Sequence, residues 1–342
     1  MKNITIALDA MGGDQGPSVV VPAALEVIRD TKHVSLILVG DQEVIKEELR
    51  QHGREGNERL VVHHASQVVA MDESPALAMR NKKDSSMRVA LNLVKDGSAM
   101  ACVSAGNTGA LMAISRFVLK TIPGVDRPAI IKTLPSMTGR NSYMLDLGAN
   151  VDSTAEQLFQ FALMGSVLAG ALENNTNPSV GLLNIGEEDI KGNEQVKEAA
   201  SLLSQSDLNY HGFVEGDDVY KGTVDVVVCD GFVGNVSLKT TEGVARMISH
   251  FMKEEFKRAW WTKLLALVSM PVLKRLKNRI DPRAYNGASF IGLRGIVVKS
   301  HGGTDSVGFV YAIQEAILEV EKDVPAKINS QLNYLLQERQ AG

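Results

Sequence analysis

Five stretches of this 342-residue chain carry a polar residue at the end of a short apolar run, followed at once by a glycine-rich turn. Ile4–Leu8 ends at Asp9 and turns through Gly12, Gly13 and Asp14. Ala99–Val103 ends at Ser104 and turns through Ala-Gly-Asn-Thr-Gly. Tyr143–Leu145 ends at Asp146 and turns toward Asn150. Val180–Leu183 ends at Asn184, and Val224–Cys229 ends at Asp230 and turns through Gly-Phe-Val-Gly-Asn235. Small residues let a ligand approach the backbone closely, and the first N–H groups of a following helix attract an anion. The Ser104–Ala110 turn therefore reads as a phosphate or oxyanion cradle. Ser104, Gly106, Thr108 and Gly109 would hold the phosphate, helped by the loop cations Arg80, Lys82 or Lys191. Asn107, Asn150 and Asn235 are candidate oxyanion donors. His301, in Lys-Ser-His-Gly-Gly-Thr-Asp, is the best placed of seven histidines for acid–base work. Asp9, Asp14, Asp146, Asn184 and Asp230, with Gly12 and Gly13, read as organisers of the turns.

Several chemistries lack their residues. There is no G-x-x-x-x-G-K-[ST] loop and no G-x-G-x-x-G after a strand, so a nucleotide cofactor is not expected. No C-x-x-C pair or H-E-x-x-H occurs, so no zinc site is expected, and no G-x-S-x-G supplies a serine nucleophile. Cys102 and Cys229 each sit inside an apolar run and read as small buried hydrophobes. Two cysteines build no disulfide framework, which points to a reducing, cytoplasmic setting.

The elements that would carry these turns follow from periodicity. Short Val/Ile/Leu-rich runs read as strands buried on both faces, and their alternation with helical patterns implies a mostly parallel sheet in a three-layer α/β fold. Ligands of such sheets bind beyond the carboxyl ends of the strands, so the five turns are expected to line one rim. Ser153-Thr-Ala-Glu156 reads as a capping box, and Asn107 or Thr108 as the cap of a helix over 109–119. No repeat or linker divides the chain. It is expected to form one large α/β unit over 1–342, with a division into two lobes around a cleft left open.

Apolar residues make up 44% of the chain and charged residues 22%, which excludes wholesale disorder. The net charge of −4 argues against a dedicated nucleic-acid-binding protein. Residues 251–280 depart from that balance. They hold eight basic and two acidic residues, a local +6 that leaves the rest at −10, and both tryptophans of the chain. Phe256, Trp260, Leu264, Leu267 and Val268 form a helical apolar stripe. Pro271 is expected to break the helix, giving two arms around an apolar tip at Leu264–Leu273. Such a protruding amphipathic segment, taken as 244–280, suits an anionic membrane surface, with Trp260, Trp261, Leu264, Leu267 and Val268 in contact. A dimer interface or a dock for an acidic protein would use the same features.

With these turns laid out, the chain resembles the bacterial phosphate acyltransferase family of phospholipid synthesis. The matching elements are Asp9–Asp14, Arg80–Met87, Ser104–Ala110, Asp126–Ala129, Asp146–Asn150, Gly181–Glu187, Lys191–Glu194, Asp230–Asn235 with Lys239, and Tyr285–Ala288 through His301-Gly302. The resemblance implies transfer of a long-chain acyl group from acyl carrier protein to inorganic phosphate, with no metal or organic cofactor. It also implies a homodimer peripherally bound to the membrane. The implied fold is similar to those of the isocitrate and isopropylmalate dehydrogenases and of phosphate acetyltransferase. The alternatives are a short-chain enzyme using coenzyme A thioesters and a non-enzymatic membrane scaffold.

Overall fold

The computed structural model describes residues 3–53 and 57–341, with the backbone alone for 277–280 and 335–341. In chain order the elements are β1 (Ile4–Asp9), α1 (Pro17–Asp30), β2 (Val34–Gly40), α2 (Gln42–Gln51), β3 (Leu60–His64), α3 (Pro75–Asn81), α4 (Ser86–Lys95), β4 (Ala101–Ser104) and α5 (Thr108–Leu119). They continue with β5 (Ala129–Pro135), β6 (Asn141–Leu145), α6 (Ala155–Glu173), β7 (Val180–Leu183), α7 (Glu194–Ser204), β8 (Tyr210–Val214), α8 (Asp218–Lys221) and β9 (Val226–Val228). The last are α9 (Gly231–Lys257), α10 (Trp260–Ile280), β10 (Ala288–Ile291), β11 (Ile296–Lys299), α11 (Ser306–Lys322) and α12 (Val324–Ala341).

The strands form one 11-stranded sheet in the order β3-β2-β1-β4-β11-β10-β5-β6-β9-β7-β8. Strands β3, β2, β1, β4 and β11 are mutually parallel, as are β6, β9, β7 and β8. Between the two sets, β10 is antiparallel to both β11 and β5, and β5 is antiparallel to β6. The sheet is thus two parallel halves of opposite polarity. Helices α1, α2 and α11 cover one face of the first half, and α6, α7 and α12 cover the same face of the second. The other face carries α4, α5 and the start of α9 over one continuous apolar cluster.

Four local expectations change. The capping box sits one residue later: Thr154 Oγ1 accepts from Gln157 N–H at 3.2 Å, and Gln157 Oε1 accepts from Thr154 N–H at 3.0 Å. Gln157 also donates to Asp126, which fixes the later register. Pro271 does not break its helix, because α10 runs through it. The turn falls instead at Arg258–Ala259, where Thr262 Oγ1 accepts from Ala259 N–H at 3.0 Å and supplies the cap that alanine lacks. Leu264–Leu273 therefore lies along the second arm and is not a tip. That turn also separates Phe256 from Trp260, so the apolar stripe is not continuous. Beyond Glu242, α9 exposes Val244, Met247, Ile248 and Phe251, and α10 packs back on it with Trp260, Trp261, Leu264, Leu267 and Val268 all more than half exposed. Helix α6 is long and apolar enough to cross a bilayer, but most of it is buried in the core.

The seam between the halves holds acid groups. Ser289 of β10 donates to Glu319 of α11, which is buried, and Tyr143 Oη donates to Glu173 Oε1 at 2.6 Å. Burial, reinforced by Glu315, pushes the Glu319 carboxyl up to about 8; burial and Glu173 push Glu315 up to about 7. A carboxyl raised above its unfolded value of about 4.3 stabilises the fold fully at low pH and loses that contribution as pH rises through the folded value. Thermal midpoints should therefore fall between pH 5 and 8 from this pair. Glu319→Gln should flatten that fall, as differential scanning calorimetry across this range would show.

Candidate active site

Strand pairing sets the site. Asp9, Ser104, Lys299, Ala288, Lys132, Met144 and Val227 are successive partners across β1, β4, β11, β10, β5, β6 and β9. Residues in one such row point to the same face of a sheet. Ala288, Met144 and Val227 belong to the apolar cluster under α4, α5 and α9. Lys132 and Lys299 therefore project into that face as well, separated by one strand, roughly 10 Å between α-carbons at ordinary strand spacing.

Three turns pack together at the carboxyl ends of β1, β4 and β11. Ser104 Oγ donates to Asp9 Oδ2 at 2.6 Å and accepts from Gly106 N–H at 3.1 Å. Ser300 N–H donates to the Ser104 carbonyl, and Asp14 N–H to the Gly302 carbonyl, both at 2.9 Å. A β-carbon at Gly12 would lie 2.6 Å from Asp9 Oδ2 and 2.8 Å from Gly106 N, so only glycine permits this approach. Lys299 Nζ donates to the carbonyls of Ala105 (3.2 Å) and Ser300, leaving the third of its N–H donors for a ligand. Asn286 locks the last turn: it accepts from His301 N–H at 3.0 Å and donates to Ser300 Oγ and the Gly308 carbonyl, both at 2.8 Å.

From the other side α9 brings Lys239 and Glu242. Glu242 Oε2 lies 2.9 Å from Lys239 Nζ, and its Oε1 lies 3.9 Å from Lys132 Nζ. Burial lowers Lys132 and, against the pull of Asp9, lowers Lys299 to about 8. His301 is lowered by desolvation and by the ammonium groups of Lys239, Lys299 and Lys132, which Glu242 partly offsets. Gly303 N–H donates to His301 Nδ1 at 3.1 Å, so the neutral ring carries its proton on Nε2. The cleft gathers three ammonium groups and a neutral imidazole donor, a set suited to a small dianion.

Not every candidate reaches this cleft. Because the sheet reverses polarity, the turns after Asp146, Asn184 and Asp230 lie at the opposite edge from those after Asp9 and Ser104. The single rim is replaced by two. Asn150, Lys191 and Asn235 lie at that far edge, with Asn235 against Gly148. Asn150 Nδ2 donates to the Pro128 carbonyl and Asp146 Oδ2, both at 2.9 Å, so neither amide N–H is left for an oxyanion. Asp146, fully buried, accepts from the N–H groups of Ile130, Ala149 and Asn150, and Asp230 accepts from Phe232 and Val233. At the near edge, Asn107 caps α5 through Ala110 N–H and donates to the carbonyls of Met71 and Glu73. Lys82 is held by Glu73 at 2.6 Å and by the Val68 carbonyl, and Arg80 is exposed on α3. Segment 68–75 thus folds over the start of α5, leaving Thr108 and Gly109 exposed. Cys102 and Cys229 are buried in the apolar cluster, and burial pushes both thiols up. Among the described residues no cluster of His, Cys, Asp and Glu suits a metal ion.

Sequence reading passed over Lys132 and Lys299, which lie inside apolar runs. The available signal was the cost of a lysine in a strand otherwise buried on both faces. The polarity reversal also had a signal, the Thr138-Gly139 turn between two closely spaced apolar runs, which reads as a hairpin.

Comparison with known proteins places this architecture. Residues 4–327 match the family model described as fatty acid synthesis protein. The chain is 61% identical over 338 residues to the phosphate acyltransferase of Nitrosococcus oceani, covering 99% of both chains. It is 62% identical over 328 residues to that of Methylococcus capsulatus, covering 96% of both. Its fold matches a crystal structure of a phosphotransacetylase from Streptococcus pyogenes with a TM-score of 0.65 at 16% identity, covering 94% of both chains.

The Asp9–Ser104 bond is the tie between the first two turns. Ser104→Ala removes one hydrogen-bond donor from a buried carboxyl and should cost about 1–3 kcal/mol in urea unfolding. Ser104→Thr should recover most of that loss.

Proposed function

This chain belongs to the fatty acid synthesis protein family, and from that premise we propose that it transfers a long-chain acyl group from acyl carrier protein to inorganic phosphate. The product is an acyl phosphate for phospholipid synthesis. The observation that carries the reading is the pair Lys132 and Lys299, desolvated on one face and separated by one strand. Phosphate bridging that gap would meet both ammonium groups, with Lys239 above and the exposed N–H groups of Thr108 and Gly109 at the margin. Arg80 and Lys82 then serve the covering segment more than the anion, and Lys191 lies on the other edge.

The step balances without an external acid. One oxygen of the monoprotonated phosphate dianion bonds to the acyl carbon, the carbon–sulfur bond breaks, and the phosphate proton passes to the leaving thiolate. Positioning and preorganised charge supply the catalysis. His301, neutral and carrying Nε2–H, acts as a hydrogen-bond donor to the leaving sulfur. Asn286 and Gly303 hold its loop and tautomer. Asp9 and Ser104 hold the turn on which Lys299 rests.

The basic α9–α10 arms, with their exposed tryptophans and leucines, support attachment to anionic lipid, where a long-chain product would be released. On this reading the enzyme works as a homodimer at that surface. Replacing Trp260, Trp261 and Leu264 with Asp should abolish co-sedimentation with phosphatidylglycerol vesicles while turnover of soluble donor survives.

Hydroxylamine trapping of acyl phosphate, formed from palmitoyl acyl carrier protein with and without phosphate, tests the reaction. Formation that does not require phosphate, or equal rates with palmitoyl coenzyme A, would overturn it. Lys132→Gln and Lys299→Gln should each raise the KM for phosphate by about tenfold or more. Because Lys299 is charged only below about 8, kcat/KM for phosphate should fall as pH rises past that value. The alkaline fall should be absent in Lys299→Arg.

A further inference from the structure

Monohydrogen phosphate and sulfate are both small tetrahedral dianions, and an ammonium group attracts either. Lys132, Lys239 and Lys299 supply charge and N–H donors only, so they do not tell the two apart. What separates the anions is one proton. Monohydrogen phosphate carries an O–H donor, and sulfate at neutral pH carries none. Discrimination therefore needs an acceptor among the cations.

Glu242 is such an acceptor. It stands on α9 one turn beyond Lys239, with its side chain 19% exposed. Its two oxygens are unequally used. Oε2 lies 2.9 Å from Lys239 Nζ and 3.5 Å from a guanidinium nitrogen of Arg246, so it is committed within the helix. Oε1 lies 3.9 Å from Lys132 Nζ, too far for a hydrogen bond, and accepts none from the described residues. Although burial opposes it, Lys239 and Lys132 hold the carboxyl below its usual range, so it is an ionised acceptor. Asp9, the carboxyl in the strand row, is buried and bonded to Ser104, and it presents no acceptor to the gap.

The spacing admits an anion oxygen between Glu242 and Lys132. An oxygen about 2.8 Å from Lys132 Nζ and about 2.6 Å from Glu242 Oε1 would see the two at roughly 90° across the 3.9 Å gap. A hydroxyl oxygen suits that position, because it accepts from the ammonium group and donates to the carboxylate. A bare sulfate oxygen there would meet the carboxylate with no proton between them. We propose that Glu242 is a specificity-determining residue, whose Oε1 accepts a hydrogen bond from the P–OH of monohydrogen phosphate and so rejects sulfate. The proton stays on phosphate, available to the leaving thiolate. The inference rests on the reading of the lysine cleft as the phosphate site.

The test is isothermal titration of the full-length protein with inorganic phosphate and, separately, with sulfate, at one pH and constant ionic strength. Wild-type protein should bind phosphate about a hundredfold more tightly than sulfate, the kind of rejection a polar site gives an analogue lacking the matching hydrogen. Glu242→Gln keeps the shape, and its amide can donate to a sulfate oxygen, so the preference should shrink to severalfold or less. A purely electrostatic role has a different signature: removing the negative charge would tighten both anions equally and leave their ratio unchanged. That outcome, or near-equal affinities in the wild-type protein, would overturn the inference. The wild-type comparison needs no variant, so it decides even where Glu242→Gln fails to fold. Absence of phosphate binding, or phosphate binding unchanged in Lys132→Gln, would instead overturn the cleft reading and this inference with it.

Discussion

Two ammonium groups withdrawn from water, with no carboxylate close enough to neutralise them fully, are the feature on which the molecule turns. Lys299 is buried with only carbonyl oxygens in contact, and Lys132 has Glu242 no nearer than 3.9 Å. Burial of a charge on such terms costs several kcal/mol unless something compensates it. The fold supplies only part of that compensation: Glu242 pairs with Lys132 at 3.9 Å, and Asp9, the carboxyl in the row, is tied to Ser104 and is itself raised by burial. A dianion entering the gap relieves both lysines at once. On the proposed reading, that relief would appear as affinity for phosphate, and the low local dielectric would strengthen each contact with charge developing in the step.

Sheet polarity is what makes the gap. Were β10 parallel to its neighbours β5 and β11, its link to β11 would need a crossover, usually a helix, packed over one face of the sheet. The antiparallel β10 between them needs no such crossover, so the face above Lys132, Ala288 and Lys299 is bordered by α5 on one side and α9 on the other. The same reversal sends the turns of the two halves to opposite edges. One edge becomes polar and cationic.

Much of this could be read from residues. The runs ending at Asp9, Ser104, Asp146, Asn184 and Asp230 are strands or end strands, the cap at Asn107 is a cap, and both cysteines are core. These features depend on neighbours a few positions away. What escaped depends on pairing at long range. Nothing within ten residues of Lys132 announces that it faces Lys299, because their relation passes through β10, more than 150 residues further along the chain. Asn107 and Asn150 were misjudged for a related reason. Their types suit an oxyanion, but the Met71, Glu73 and Pro128 carbonyls that occupy them come from other segments. The break expected at Pro271 fell at Arg258–Ala259 because proline removes one backbone bond, whereas an uncapped alanine loses the start of a helix unless a side chain such as Thr262 replaces it.

Charge is divided between the body and the α9–α10 arms in a way that bears on how the molecule meets a surface. Residues 251–280 carry +6 and the remainder −10. Near an anionic bilayer the arms are drawn in and the body is pushed back, each over about a Debye length, roughly 8 Å at physiological salt. Helix α9 spans 27 residues, and at about 1.5 Å per residue the part beyond Glu242 is long enough to hold the body outside that layer. The cation cleft begins where α9 leaves the body, at Lys239 and Glu242. One helix therefore carries both the basic arm with its exposed apolar side chains and, at its base, Lys239 and Glu242 of the cation cleft.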